Sequence, residues 1–308
     1  MSKPEYIIVE REINGIPHLF KMNERTGEVL SQGRYIPVFE DDLYMTAEQK
    51  AAREKIHEEL MKKSRRRRIG RKNGKFFFIQ RANNLSALKP QTVARLIYLL
   101  TYADYSERGA VLKLTQKRTM HTKDLPKVLG LSADSVAAFL KEVSPGYLKI
   151  EETGEISAQP TFFHRGTMRG GKSYVRVFDK SVRSLYSNTP RRSHCYIGYI
   201  FQLLPYLNIE WNVLCHNIDE DKLDHIECLG SREFCEKIQY SKAHFSRLDR
   251  AFKQLSFTVE DDEGKRTERF VSIKYDRKGT QGDRVWINPK ILYNGSDDFQ
   301  VEELAWFR

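Results

Sequence analysis

The feature that most constrains the fold is an internal repeat that begins near residue 76. Several segments recur in the same order, and the offset between matching segments stays between 104 and 113 residues. The matches are Leu99-Leu100-Thr101-Tyr102 with Leu203-Leu204-Pro205-Tyr206, Arg165-Gly166-Thr167 with Lys278-Gly279-Thr280, and Val175–Lys180 with Val285–Lys290. Self-similarity at one offset predicts two copies of a single supersecondary unit.

The middle of the first copy, from Thr122 to Leu140, has the pattern of two short helices joined by a turn. Gly130 stands at the turn, a position that favours glycine. Pro126 falls in the first turn of its helix, where a missing N–H costs little. The inward positions are apolar: Leu125, Leu129, Leu131, Val136 and Phe139. A strand at Tyr147–Ile150 follows, with Thr153-Gly154 as its turn.

The second copy, from Ser231 to Arg250, has the same pattern with Gln239 in place of the turn glycine. Its inward positions are Phe234, Cys235, Ile238, Tyr240, Phe245 and Leu248. Strand-like segments follow at 257–259, 270–274 and 284–287, with an acidic turn at 261–264. A helix pair followed by strands, present twice, predicts an α+β protein with two tandem winged-helix domains.

The charge of the chain is uneven. The net charge is +11, yet residues 1–61 hold twelve acidic and eight basic residues, so the remainder carries +15. Lys62–Lys72 contains eight basic residues in eleven, and no acidic residue occurs between Glu59 and Asp104. A basic body favours a polyanionic partner such as nucleic acid, although a solvated charged surface would have the same composition.

These patterns divide the chain into five segments. Residues 1–61 are predicted to form a small β unit, with a strand from Tyr6 to Val9 and a turn at Arg25–Glu28, followed by a helix. A capping box at Thr46–Gln49 starts that helix, and Ala52, Ile56 and Leu60 form its thin apolar face. The other segments are a flexible basic linker (62–75), winged-helix domain 1 (76–190), winged-helix domain 2 (191–296) and a C-terminal tail (297–308).

The outward faces of the two second helices differ. In the first copy this face holds Ser132, Ala133, Asp134, Ala137 and Ala138, which include no base. In the second copy it is rich in hydrogen-bond donors, which suit bases and phosphates. We therefore expect the second copy to contact DNA directly, and the first to use its wing (Arg165, Arg169, Lys172, Arg176) or to dimerise. The candidate DNA-binding residues are Arg65, Arg66, Arg67, Arg68, Arg71, Lys72, Arg165, Lys172, Ser241, Lys242, His244, Ser246, Arg247, Arg250, Arg277 and Lys278.

Signs of catalysis and of metal binding are weak. Cys215, His216, His225, Cys228 and Cys235 have zinc-ligand chemistry but no standard spacing. His244-Phe245-Ser246-Arg247 with Tyr293 downstream resembles part of a tyrosine-recombinase site, but strands follow where that family has helices. No phosphate-binding loop for ATP occurs. We expect no enzymatic activity, no cofactor and no metal.

The cellular location is predicted from three further features that the sequence lacks. The N-terminus lacks an apolar signal core, no apolar run is long enough to span a membrane, and the four cysteines do not form a framework for the chain. We expect reduced thiols and a cytoplasmic, nucleoid-associated protein with no membrane partner.

The stretch from Phe76 to Gly295 resembles the RepL-like winged-helix replication and maintenance proteins of plasmids and phages in Gram-positive bacteria. The resembling segments are Leu114-Thr115, Thr122-Lys123-Asp124-Leu125, Leu129-Gly130-Leu131-Ser132 and Val285–Leu292, with Gly295 after them. The chain departs from that group in its two copies and its N-terminal β unit. The resemblance implies origin binding and recruitment of host replication proteins, and it transfers no catalytic residue. Tandem winged helices are also similar to iteron-plasmid initiators, in which one copy dimerises and the other binds DNA.

The sequence therefore predicts a sequence-specific double-stranded DNA-binding protein that acts as a plasmid or phage replication initiator, as a homodimer. The main alternative is a transcriptional regulator that works with RNA polymerase, because the same domains serve both roles. A non-specific DNA or RNA binder and a recombinase are further alternatives.

Overall fold

A computed structural model describes residues 6–13, 16–23, 25–26, 28–29, 47–82, 85–104, 110–144, 146–166, 174–261, 264–275 and 283–307. Over these residues the protein is α+β, with nine α-helices and several small sheets. The chain divides into two compact units, Met1–Met61 and Lys62–Arg308. Within the described residues, no helix is both long enough and apolar enough to cross a membrane.

The first unit contains an antiparallel hairpin of β1 (Tyr6–Ile13) and β2 (Ile16–Asn23), in which Tyr6 lies opposite Asn23. This confirms the strand predicted at its start. The predicted turn after β2 is held by Asn23, whose side-chain oxygen accepts hydrogen bonds from the backbone N–H groups of Arg25 and Thr26. The short polar side chain of asparagine stabilises such turns because it can bond backbone groups two and three residues ahead.

The helix predicted after this hairpin is α1 (Ala47–Asn73). Thr46, the first residue of the predicted capping box, lies outside the described residues. Ile56 and Leu60, the predicted apolar face, are both 59% exposed.

The predicted flexible linker at 62–75 is wrong, because α1 continues without a break to Asn73. Arginine and lysine are good helix formers, so a basic run can extend a helix when one of its residues finds an apolar site. Ile69 is that residue. It is buried in a cluster with Phe178, Trp286 and Tyr293 in the second unit.

The first half of the second unit alternates short strands with three helices. Its strands and helices are β3 (Phe76–Gln80), α2 (Pro90–Leu100), β4 (Ala110–Val111), β5 (Lys113–Thr115), β6 (Arg118–Thr119), α3 (Leu125–Leu129), α4 (Ala133–Val143), β7 (Leu148–Ile150), β8 (Ile156–Ala158), β9 (Phe163–His164) and β10 (Tyr174–Phe178). One sheet has the order β4-β8-β7 and another the order β10-β3-β9, while β5 and β6 form a separate hairpin.

After a connecting helix, the second half repeats part of this order. Its elements are α5 (Asp179–Asn188), α6 (His194–Gln202), α7 (Ser231–Lys237), α8 (Phe245–Gln254), β11 (Ser256–Asp261), β12 (Gly264–Arg269), β13 (Val271–Lys274), β14 (Arg284–Ile287) and α9 (Asp298–Ala305). The series α2, α3, α4 and β7–β10 therefore recurs as α6, α7, α8 and β11–β14. The sheets differ, since β11 pairs with β12 and β13 pairs with β14.

The two halves share one hydrophobic core. Helices α2 and α6 pack so closely that a Cβ atom added at Gly198 would overlap the carbonyl oxygen of Pro90. Backbone hydrogen bonds also join the halves: Phe178 N–H donates to Ile291 O at 2.8 Å, and Tyr293 N–H donates to Arg176 O at 2.9 Å. The segments 76–190 and 191–296 thus form one packed body rather than two separate cores.

The C-terminal segment 297–308 is not the predicted tail, because α9 packs against the second half. Val301 and Ala305 are buried, and the N–H of Arg269 donates to Phe307 O at 2.7 Å. The apolar positions of α9 complete the cluster that contains Ile69.

The segment Asn288-Pro289-Lys290, part of the resemblance noted above, belongs to a buried polar network. Lys290 Nζ donates to Glu268 Oε1 at 2.6 Å, and Asn288 Nδ2 donates to Glu268 Oε2 at 3.0 Å. Burial alone would raise the pKa of Glu268, but the hydrogen bonds from Lys290 and Asn288 outweigh it and hold the pKa below its ordinary value. In this structure these residues stabilise the fold.

Candidate nucleic-acid interface

The helix pair α7–α8 buries the apolar positions expected from the sequence. Phe234, Cys235 and Ile238 are buried from the first helix, and Leu248 from the second. Tyr240 and Phe245 are half-buried against the same core. Because α8 uses these residues to pack inward, its opposite face is left to solvent.

The turn between α7 and α8 has a left-handed residue where the first copy has glycine. Gln239 has φ of 54°, close to the 64° of Gly130. The following backbone hydrogen bonds also match, since Tyr240 N–H donates to Cys235 O at 2.8 Å and Leu131 N–H donates to Pro126 O at 3.0 Å. The two turns therefore share one geometry despite their different residues.

The polar residues predicted on the outer face of the second copy are all exposed. They are Ser241, Lys242, His244, Ser246, Arg247 and Arg250, together with Ala243. A single turn of 3-10 helix at Lys242–His244 precedes α8. Lys242 forms an ion pair with Glu236 of α7, so its ammonium group is held beside the helix pair.

The corresponding face of α4 is exposed but carries no base. Ser132, Ala133, Asp134, Ala137 and Ala138 are all exposed, and the Ser132 side chain caps the helix by accepting a hydrogen bond from Ser135 N–H at 3.3 Å. The contrast between the two copies in surface chemistry, expected from the sequence, is present in the structure.

A cavity of about 240 Å³ lies between the start of α6 and α8. Three arginines line it: Arg192 before α6, and Arg247 and Arg250 on α8. The sequence reasoning missed Arg192. The pair Arg191-Arg192 immediately before an apolar helix was the available signal.

Two residues of the first copy's wing that were predicted to contact DNA are buried. Arg165 was predicted to contact phosphate, but its side chain is only 3% exposed and forms a bidentate ion pair with Asp179. Its Nη1 donates to Asp179 Oδ2 at 2.9 Å and its Nη2 donates to Oδ1 at 2.7 Å. Arg176 is buried too, 5.0 Å from the Phe76 ring centre. A buried arginine requires such a partner, and neither side chain reaches the surface.

Several other predicted contacts lie outside the described residues, namely Arg169, Lys172, Arg277 and Lys278. On α1, the side chains of Arg65, Arg68 and Lys72 are exposed. The side chains of Arg66, Arg67 and Arg71 are not among those that the structure describes. Arg65 is 3.9 Å from Asp297, and Lys72 is 3.8 Å from Asp298. Pairs this long and this exposed stabilise little, so these cations stay accessible to an anion.

Tyr293, the candidate recombinase nucleophile, is fully buried. Its hydroxyl donates to Glu210 O at 3.0 Å and accepts from Asp297 N–H at 3.1 Å. Burial raises the pKa of Tyr293 well above its ordinary value. This phenol therefore serves as a structural hydrogen-bonding group in the fold.

The cysteines considered as zinc ligands lie partly together. Cys215 pairs with Cys228 across an isolated antiparallel bridge, and burial raises the pKa of the Cys215 thiol to about 12. Within the part of the chain that the structure describes, no group of three or more histidine, cysteine or acidic side chains is placed to hold a metal ion.

The exposed donors of α8 and of the 3-10 turn before it, together with Arg192 before α6, form one polar surface on the second half. We refer to Ser241, Lys242, His244, Ser246, Arg247, Arg250 and Arg192 together as the α8 surface. No family model, curated protein or solved structure matches this chain.

Proposed function

We propose that this protein is a sequence-specific double-stranded DNA-binding protein with two tandem winged-helix units. The observation that carries the proposal is the α8 surface. It presents exposed hydroxyl, imidazole and guanidinium groups on the second helix of a helix pair whose other face is buried. A helix of this kind fits the major groove, where such donors bind base edges and phosphates.

The topology supports the winged-helix assignment. In the first half, β4 precedes the helix pair and pairs with β8, which in turn pairs with β7. A winged helix typically has three helices and a small sheet in which the first strand pairs with the third. In the second half the β11–β12 hairpin follows the helix pair, where a wing would contact the DNA backbone.

The role we propose is initiation of plasmid or phage replication, in the cytoplasm and at the nucleoid. The α8 surface would bind the origin. The face of α4, which has small side chains and no base, would then contact a second copy of the chain or host replication proteins.

The first test is selection of bound duplexes from a random DNA library with the full-length protein. We expect one enriched motif. We also expect Arg247→Ala to weaken binding to that motif about tenfold or more, since the loss of one arginine contact to DNA costs about 1–3 kcal/mol. Asp134→Ala, on the equivalent face of α4, is the matched control and leaves the affinity unchanged.

Failure to enrich any sequence would contradict specific recognition, and a larger loss for Asp134→Ala than for Arg247→Ala would assign DNA binding to the first copy. Crosslinking in the native host then separates the biological roles. Sites clustered at one replication origin support the initiator, and sites at promoters support the regulator. A plasmid carrying the gene with its flanking DNA should establish itself only in the first case.

A further inference from the structure

The arginine-lined cavity is built from two elements that are far apart in sequence. Arg192 belongs to a 3-10 turn at Arg191–Ser193 that leads into α6, and Arg247 and Arg250 lie one turn apart on α8. Its other lining residues include Tyr196 of α6 and Gln254 of α8. All three arginines are exposed.

The charge in this cavity is uncompensated. Among the described residues, no carboxylate forms an ion pair with Arg192, Arg247 or Arg250, and no acidic residue lines the cavity. Three like charges around one small space repel each other, and an anion placed between them would relieve that repulsion.

Arg247 lines the cavity together with Tyr196 in the first turn of α6. Burial raises the pKa of the Cys195 thiol on α6, and the positive charge of Arg247 opposes that rise. Planar guanidinium groups suit a phosphate, to whose oxygens arginine can donate two hydrogen bonds at once.

We propose that this cavity holds one backbone phosphodiester of the bound DNA, with Arg192, Arg247 and Arg250 as its ligands. The inference rests on the proposed function and assigns different roles within the α8 surface. The three arginines supply affinity that does not depend on sequence. Base recognition is left to the start of the helix and the 3-10 turn before it: Ser241, Lys242, His244 and Ser246.

The test measures how the dissociation constant depends on salt for the full-length wild type and for Arg192→Ala, each with a mixed-sequence duplex and with the selected motif. Loss of one phosphate contact reduces the slope of log affinity against log salt by about 1. We expect that reduction, together with a loss of affinity of about tenfold that is equal for both duplexes. Arg192→Lys keeps the charge and is expected to restore the slope but only part of the affinity.

Lys117→Ala is the charge-matched control. Lys117 is exposed in the turn of the β5–β6 hairpin, and its removal changes the net charge by the same amount. We expect its salt slope to equal that of the wild type. Thermal melting followed by circular dichroism checks that each variant is folded.

The outcomes separate this inference from the proposed function. A wild type that shows no salt-dependent DNA binding would refute the function itself. A wild type that binds, with equal slopes for Arg192→Ala and Lys117→Ala, would overturn only the phosphate site. A loss confined to the selected motif would also overturn it, because Arg192 would then read a base. If inorganic phosphate stabilises the wild type but not Arg192→Ala while the DNA slopes are equal, the cavity binds free phosphate instead.

Discussion

At the scale of single residues, backbone conformation at two turns decides how the helix pairs cross. Gly130 adopts the left-handed region without steric cost, whereas Gln239 adopts it with a Cβ atom present. The same turn is therefore strained in the second copy and relaxed in the first.

This difference predicts the effect of exchanging the residue types. Gln239→Gly is expected to raise the free energy of unfolding by about 0.5–1 kcal/mol, because relief of the left-handed strain exceeds the added chain entropy of glycine. Gly130→Gln is the converse variant and should lower it by at least about 1–2 kcal/mol, since its Cβ would also meet the Arg191 guanidinium. Urea denaturation measures the free energy of unfolding of both variants. If Gln239→Gly lowers it, the glutamine side chain forms a contact whose stabilising free energy exceeds the cost of the strained backbone.

Residue identity alone does not reveal whether a charged side chain is exposed. Arg165 and Arg192 both stand beside predicted elements and both could contact phosphate. Only the fold shows that the first is buried against Asp179 and the second lines an open cavity. The exposed face of α8 was predictable because the inward apolar positions recur at helical spacing, which leaves the remaining positions outside.

At the scale of elements, the contact between α2 and α6 holds the halves together. These helices approach closely because Gly198 has no side chain to separate their backbones. The matching apolar segments Leu99–Tyr102 and Leu203–Tyr206 mark the ends of these helices in the sequence. The close approach could not be predicted, since it depends on two segments about one hundred residues apart.

Gly198→Ala is expected to destabilise the protein by about 1–3 kcal/mol, because the added methyl group must push α6 away from Pro90. The matched control is Gly146→Ala, where a new Cβ would meet no atom within 4 Å. The control should change the free energy of unfolding by no more than about 0.5 kcal/mol. Equal effects for the two variants would argue against a close contact at Gly198.

At the scale of the whole molecule, the shared core makes the two halves of the second unit interdependent. Leu125 in the first half and Leu248 in the second are both fully buried in the same cluster. Repeats that share a continuous core unfold together when each half contributes contacts that the other requires.

The three tryptophans, Trp211, Trp286 and Trp306, all lie in the second half and report its unfolding. Leu125→Ala is expected to lower the midpoint of the tryptophan-fluorescence transition, by an amount that corresponds to about 2–5 kcal/mol. Leu248→Ala, in the half that holds the tryptophans, should lower the same transition by a similar amount. If Leu125→Ala leaves that transition unchanged, the halves unfold independently and the core is divided.

The sequence by itself determined the internal repeat, both helix pairs, the strands that follow them and the chemistry of the outer faces of the helix pairs. These properties follow from periodicity and from turn residues, which act over a few neighbouring positions. Tertiary structure alone decided that residues 62–73 are helical, that residues 297–307 are packed, that Arg165 is buried and that Arg192 joins the arginines of α8. Each of these depends on which distant segments meet, because burial and ion pairing are set by contacts across the fold rather than by local composition.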